Sequence, residues 1–110
     1  MISIITVHLN QIEDLIKTSK SIKMQIYQNF KWIVIDGCSD RKIRASLKRI
    51  DRIDDLIIEK DDGIYDAMNK GLERVRKNDF VLFLNSGDEF TQPDILQRVD
   101  GPRNTGKVGR

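Results

Sequence analysis

Runs of apolar residues along this chain alternate with stretches of helical periodicity, and the pattern predicts four short strands, each followed by a helix. Ile2 to Val7 is a β-branched run of strand length. Asn10 with Glu13 three residues on reads as an N-cap and its capping box. Leu15, Ser19, Ile22 and Ile26 then fall at the spacing of one helix face. Phe30 to Ile35 is a second strand, ending at Asp36-Gly37. Ser39 is expected to cap a helix with Ile43, Leu47 and Ile50 on its inner side. Leu56 to Ile58 is a third, short strand. A helix from about Gly63 to Arg76 is expected to bury Ile64, Met68, Leu72 and Val75. Phe80 to Leu84 is nearly unbroken in apolar character, as a strand covered on both faces would be. Thr91 with Asp94 opens a last helix, running to about Val99.

This βαβαβαβα order predicts an α/β fold: a Rossmann-like, mostly parallel sheet with helices on both faces and right-handed crossovers. In such sheets ligands bind at the rim formed by the carboxyl ends of the strands. Acidic residues gather there in this chain, with Asp36 and Asp40 after the second strand, Asp61 and Asp62 after the third, and Asp88 and Glu89 after the fourth. Any one of them alone reads as a turn or cap residue. Three clusters on one rim repel each other unless a cation or hydrogen-bond donors compensate. A divalent metal bridging a diphosphate meets that need, because such ions take carboxylate, amide and phosphate oxygens. His8-Leu9-Asn10 offers no glycine-rich dinucleotide fingerprint and the chain has no Walker A lysine motif. Phosphate is therefore expected to be held through a metal and side chains, with Thr6 to Asn10 lining the floor of a base-binding pocket.

Composition narrows the class. The 110 residues are 39% hydrophobic and 33% charged, as in a soluble globular domain. A net charge of +2 gives no reason to invoke nucleic acid as a partner. Cys38 is the single cysteine and fits a reducing compartment. No apolar stretch reaches the roughly 20 residues that span a bilayer, and the N-terminus enters the first strand without a secretory leader. The expected location is cytoplasmic, with a peripheral position at the inner face of the membrane as the extension of that reading. Residues 1–99 are expected to form one domain and residues 100–110 a flexible, basic, glycine-rich tail.

Four segments together resemble the N-terminal half of a family 2 glycosyltransferase of the GT-A fold. They are Ile2-Ser3-Ile4-Ile5-Thr6-Val7, Trp32 to Asp40, Glu59 to Gly71, and Phe83-Leu84-Asn85-Ser86-Gly87-Asp88. The likeness is to bacterial enzymes of exopolysaccharide and capsule assembly. It implies metal-assisted, inverting transfer of a sugar from a nucleoside diphosphate, usually UDP, to a glycan or lipid-linked acceptor. It implies that Asp36 reads the nucleobase and that Thr6 and Asn10 line the nucleoside pocket. Asp40 falls in the family's Gly-Ser-Thr-Asp-like turn, here with Cys38 in place of a small residue and no threonine between Ser39 and Asp40. Asp62, Gly63, Asp66 and Asn69 match the segment along the ribose and sugar. Asp88 closes the metal motif, with Asn85 standing in for a second acid, and the implied cofactor is Mg²⁺ or Mn²⁺. The family's general base lies in its C-terminal half, so the chain is expected to be truncated after the metal motif. It would bind donor but turn over little.

The other conspicuous residues have plainer readings. His8 reads as a turn residue, Cys38 as a small packed residue, and Trp32 and Met68 as core. The basic stripe Arg41, Lys42, Arg44, Lys48, Arg49 and Arg52 reads as a solvated helix face, with attraction to anionic lipid as the lesser alternative. Two rivals stand against an enzyme. One is a non-catalytic binding or regulatory module that self-associates through an unpaired sheet edge. The other is a receiver-like signalling domain, which would want an acidic pair where His8-Leu9-Asn10 stands.

Overall fold

The computed structural model of the chain describes residues 1–100, Asp100 by its backbone alone. Of the expected tail at residues 100–110, Asp100 falls at the end of a helix instead, and residues 101–110 lie outside the described residues. Strands β1 (Ile2–His8), β2 (Phe30–Asp36), β3 (Asp55–Ile58) and β4 (Phe80–Phe83) alternate with helices α1 (Ile12–Lys23), α2 (Arg41–Leu47), α3 (Ile64–Leu72) and α4 (Ile95–Asp100). The sheet order is β3-β2-β1-β4 and every pairing is parallel. All four carboxyl ends therefore share one edge. The chain steps outward from β1 to β3 and then returns to the other side of β1, so the order reverses between β1 and β4. That switch point is where an open α/β sheet leaves a crevice.

Two apolar layers hold the sheet between its helices. On one face Ile2, Ile4, Trp32 and Val34 pack with Leu15 and Ile22 of α1, Leu47 of α2 and Leu96 of α4. On the other, Ile5, Ile33, Ile35 and Ile57 pack under Ala67 of α3. Trp32 is fully buried, as expected for core, and its indole N–H donates to Thr6 Oγ1 at 2.9 Å. Satisfying that donor is what lets so large a ring be enclosed.

Several element details depart from the expectations. Helix α1 starts after Gln11, and Asn10 sits at φ 54 without capping it, because Asn10 Oδ1 is turned across to accept the Asp40 N–H at 2.8 Å. Ile26 falls beyond α1 and is 65% exposed. The cap position of α2 is Asp40 rather than Ser39, whose groups are committed to Asp36. Among the described residues β4 lies at the edge of the sheet, and Phe80 and Phe83 are exposed instead of covered on both faces.

Helix α3 buries Ala67 and Gly71, while Ile64 and Leu72 stay exposed. The reason is close approach, since a Cβ built on Gly71 would lie 2.6 Å from Ile5 Cγ2. Gly71→Ala is accordingly expected to destabilise despite its better helix propensity. Propensity returns about 1 kcal/mol, whereas overpacking against a fully buried isoleucine costs about 1–3 kcal/mol. A net loss of about 1 kcal/mol is expected in urea unfolding. A gain in stability would show that α3 can lift off β1 at no cost.

Candidate functional site

The rim is assembled by a chain of hydrogen bonds that begins at the last residues of β1 and β2. His8 and Asp36 are direct partners in the parallel register. His8 is buried, and its Nδ1 lies 2.8 Å from Asp36 Oδ1. The Gln11 backbone N–H donates to His8 Nε2 at 3.1 Å. Nε2 is thus an acceptor, so the ring proton sits on Nδ1 and is donated to Asp36. Asp36 also accepts the Ser39 N–H on Oδ2 at 2.8 Å and the Ser39 hydroxyl on Oδ1 at 2.6 Å. Burial alone would raise the Asp36 pKa; the His8 and Ser39 hydrogen bonds outweigh it and hold the carboxyl below its ordinary 3.8.

Ser39 passes the order outward. Its Oγ accepts the Asn10 N–H at 2.8 Å, Asn10 Oδ1 accepts the Asp40 N–H at 2.8 Å, and the Gly37 N–H donates to His8 O at 3.0 Å. The loops after β1 and β2 are stitched into one unit in this way, with Asn10 and Asp40 exposed on it. The turn sets Cys38 at φ 74 and exposed, correcting the expectation that it is packed. The left-handed position brings Ser39 back onto Asp36.

The loop after β3 meets this unit at Gly37, where an added Cβ would come within 2.8 Å of Asp61 Oδ2. Asp61 Oδ1 accepts the Gly63 N–H at 3.1 Å, and Asp66 Oδ2 accepts the Asp62 N–H at 2.9 Å. Gly63, at φ 114, occupies a backbone region that glycine adopts freely. Lys70 supplies a counter-charge, donating to Lys60 O at 2.9 Å with Glu59 at 3.3 Å and Asp66 at 3.7 Å. Desolvation lowers its pKa, and the pull of Glu59, Asp66 and Asp61 more than reverses that and raises it. The Asp62 carboxylate is exposed. Asn69 is also exposed on α3, and its side chain makes no hydrogen bond among the described residues.

Across the switch point, the loop after β4 turns back on itself. The Asn85 N–H donates to Asp88 Oδ2 at 3.0 Å and the Asp88 N–H to Asn85 O at 2.9 Å, with Gly87 at φ 96. Thr18 of α1, fully buried, anchors this loop: its Oγ1 accepts the Gly87 N–H at 2.9 Å and donates to Asp88 O at 2.8 Å. Asp14, one turn earlier in α1, faces Gly87 and borders an open pocket of about 390 Å³ lined by residues 10–14.

The expected site residues therefore divide. Asn10, Asp40, Asp62, Gly63, Asp66, Asn85 and Asp88 reach the shared edge, and Asn69 stands on α3 apart from their hydrogen bonds. Thr6 and Asp36 are different. Both are fully buried, Thr6 spent on Trp32 and Asp36 on His8 and Ser39, so they support the rim and present no side chain to a ligand. His8 is likewise a buried strut rather than a turn residue. Thr18 and Lys70 carry no such reading in the sequence, and Ser39 reads there only as a helix cap. The His8–Asp36 pairing had a usable signal, since two parallel strands of equal length ending at His8 and Asp36 lie in register. Thr18 had none.

Among the described residues no three His, Cys, Asp or Glu side chains stand close enough to hold a metal ion by themselves. The β4 loop nonetheless offers hard oxygen donors. Asp88 Oδ1 and the Asn85 amide are unspent, and the buried Ser86 Oγ has no partner among the described residues. That set fits a cation that takes most of its ligands from a diphosphate and water.

Known proteins share this architecture. A mannosyltransferase of Pyrobaculum calidifontis, solved with GDP-Man and Mn²⁺, superposes with a TM-score of 0.77 at 18% identity, covering 86% of this chain and 30% of that one. TarS of S. aureus, residues 1–349 solved with UDP-GlcNAc, gives 0.72 at 22% identity, covering 89% and 29%. These are GT-A glycosyltransferases, and the likeness establishes the fold. In sequence, an uncharacterized glycosyltransferase of Mycobacterium tuberculosis is 36% identical over 97% of this chain. TuaG of Bacillus subtilis, named for teichuronic acid biosynthesis, is 28% identical over 91%. The chain spans about two-fifths of these relatives, 42% and 41% of their lengths. The family model described as glycosyl transferase family 2 matches residues 3–107, and the chain belongs to that family.

Proposed function

We propose that this chain forms the donor-binding half of a glycosyltransferase that moves a sugar from a nucleoside diphosphate, UDP in the first instance, to a glycan or lipid-linked acceptor in cell-surface polysaccharide synthesis. One observation carries the reading: exposed carboxylates and amides from the ends of four parallel strands converge on the edge that flanks the β1–β4 switch point. Asn10, Asp40, Asp62 and Gly63 would contact the nucleoside and ribose, with Asp66 holding the Asp62 loop. Asp88 and Asn85 would hold Mg²⁺ or Mn²⁺. When bound, that ion would neutralise the charge that builds on the departing nucleoside diphosphate. The complexes of the two structural relatives with GDP-Man and Mn²⁺ and with UDP-GlcNAc support the ligand class. Transfer is read as inverting, with the base that deprotonates the acceptor hydroxyl supplied from outside this segment. We place the reaction on the cytoplasmic side of the membrane. Among the described residues no helix is long and apolar enough to cross a bilayer.

The test is calorimetric titration of UDP with and without Mn²⁺, using Asp62→Asn and Asp88→Asn. Both carboxylates are exposed and outside the Asp36 network, so neither change should disturb folding. Binding is expected to require Mn²⁺ and to weaken at least tenfold in each variant, about 1.4 kcal/mol or more. A folded chain that ignores UDP in both conditions would defeat the reading. The second reading, a non-catalytic module that pairs through its sheet edge, draws on the exposed Phe80 and Phe83 of β4. Sedimentation as a dimer without UDP binding would favour it.

A further inference from the structure

Helix α2 carries a second pocket that the sugar-donor reading does not use. It is open, encloses about 850 Å³, and is lined by Arg41, Arg44, Ala45, Lys48, Arg49 and Ile58. We propose that it is a phosphate-binding site, independent of the metal at the rim. Residues 41–52 hold six Lys and Arg against one acid, Asp51, while the whole chain is within two charges of neutral. Six basic residues less one acid give this short segment a net charge of +5, more than the +2 of the whole chain. Arg52 and Lys70 are matched by carboxylates in ion pairs. Among the described residues Arg41, Arg44, Lys48 and Arg49 enter none.

Arg44 makes the stronger point. Its Nε is buried and has no hydrogen-bond partner among the described residues. A desolvated guanidinium N–H without an acceptor is costly, and native structures rarely leave one unexplained. Guanidinium groups present planar forks of donors that match phosphate oxygens, and a lysine adds a mobile point charge. The pocket wall contributed by Ala45 and Ile58 carries no acid to repel an anion. The ligand chemistry is therefore a phosphate group, borne either by a lipid headgroup or by a soluble phosphorylated molecule.

The experiment titrates pyrophosphate into the protein in EDTA, which silences metal-dependent binding at the rim. Vesicles of phosphatidylcholine with and without phosphatidylglycerol are sedimented in parallel. Arg44→Gln removes the half-buried guanidinium, and Lys48→Gln removes an exposed charge with no structural role, both checked by circular dichroism. Pyrophosphate binding that survives EDTA and weakens at least tenfold in both variants is expected, and Asp88→Asn should leave it unchanged. Co-sedimentation with the anionic vesicles alone, competed by pyrophosphate and lost in the variants, would identify a headgroup as the source. Pyrophosphate binding without vesicle binding would identify a soluble ligand. A folded wild type that binds neither, affinity unchanged in both variants, or binding that appears only with Mn²⁺ and disappears in Asp88→Asn would each overturn the proposal.

Discussion

Asp36→Ala is expected to remove about 3–5 kcal/mol of stability, the usual result when one member of a buried charged network is deleted. A small domain has about 5–15 kcal/mol in all, so the variant would sit close to unfolding. The size follows from what the carboxylate holds. It is fully buried and accepts the His8 Nδ1–H, the Ser39 N–H and the Ser39 hydroxyl. Alanine would strand all three donors in the interior, each facing the desolvation penalty of a lost partner. Asp36→Asn should cost less, because it keeps the shape and one acceptor oxygen but turns an NH₂ towards a donor. The pH dependence has a definite sign. The folded carboxyl titrates below its ordinary 3.8, so its contribution is present above that value and is lost as pH falls through the lower, folded one. Wild-type stability should therefore drop steeply below about pH 4, and Asp36→Asn should flatten that limb. Urea unfolding from pH 7 to pH 2.5 measures both effects. A midpoint unmoved by Asp36→Ala would mean that the network holds nothing together.

The same network explains why Asp36 is a poor residue with which to test ligand binding. Ser39 rests on Asp36, Asn10 on Ser39, and Asp40 on Asn10, each through a bond of 2.6 to 2.8 Å. Loss of nucleotide binding in an Asp36 variant would report the collapse of two loops as readily as the loss of a contact. Asp62 presents its carboxylate without such a duty, and Asp88 accepts only the Asn85 N–H within its own loop, a bond that asparagine's amide oxygen can still accept.

Much of this architecture was legible in the pattern of apolar residues. The four strands, their order with the helices and the parallel sheet follow from β-branched runs separated by helical spacing, because strand periodicity and crossover handedness leave few alternatives. Helix faces were less legible. Periodicity rewards large apolar residues, so Ile64, Met68 and Leu72 suggested the inner face of α3. The close approach to Ile5 instead required the small residues Ala67 and Gly71. The edge position of β4 was also hidden, since an apolar strand looks alike at the edge and at the centre. Among the acids, the clustering on one rim was readable, but the division of labour was not. Asp36 and Asp62 are the same residue type at the same kind of position. Only the register that sets His8 opposite Asp36 makes one a strut and leaves the other exposed.

Thr18→Val is the second change with a large expected effect, and it separates holding the β4 loop from folding the domain. Valine keeps the volume of the buried side chain and deletes its hydroxyl. The Gly87 N–H at 2.9 Å and the Asp88 carbonyl at 2.8 Å then lose their partner in α1. Leaving a buried donor and acceptor unmatched costs about 1–3 kcal/mol for each such group. Relief by loop movement should bring the total to about 2–3 kcal/mol. The loop can take that relief between its flanking ties, Leu84 N–H to Ile5 O and Phe90 N–H to Ser21 Oγ, because the segment between them is otherwise held by the internal bonds of Asn85 and Asp88. Asp88 and Asn85 would then lose their fixed position against α1, and metal-dependent UDP binding should weaken at least tenfold while the rest of the fold persists. Thr18→Ser, which restores the hydroxyl, should recover most of the affinity. Hydrogen exchange can follow the Gly87 amide directly, with faster exchange expected in Thr18→Val and near wild-type protection in Thr18→Ser. An unchanged Gly87 exchange rate in Thr18→Val would show that the loop is held by its own turn and that α1 merely lies beside it.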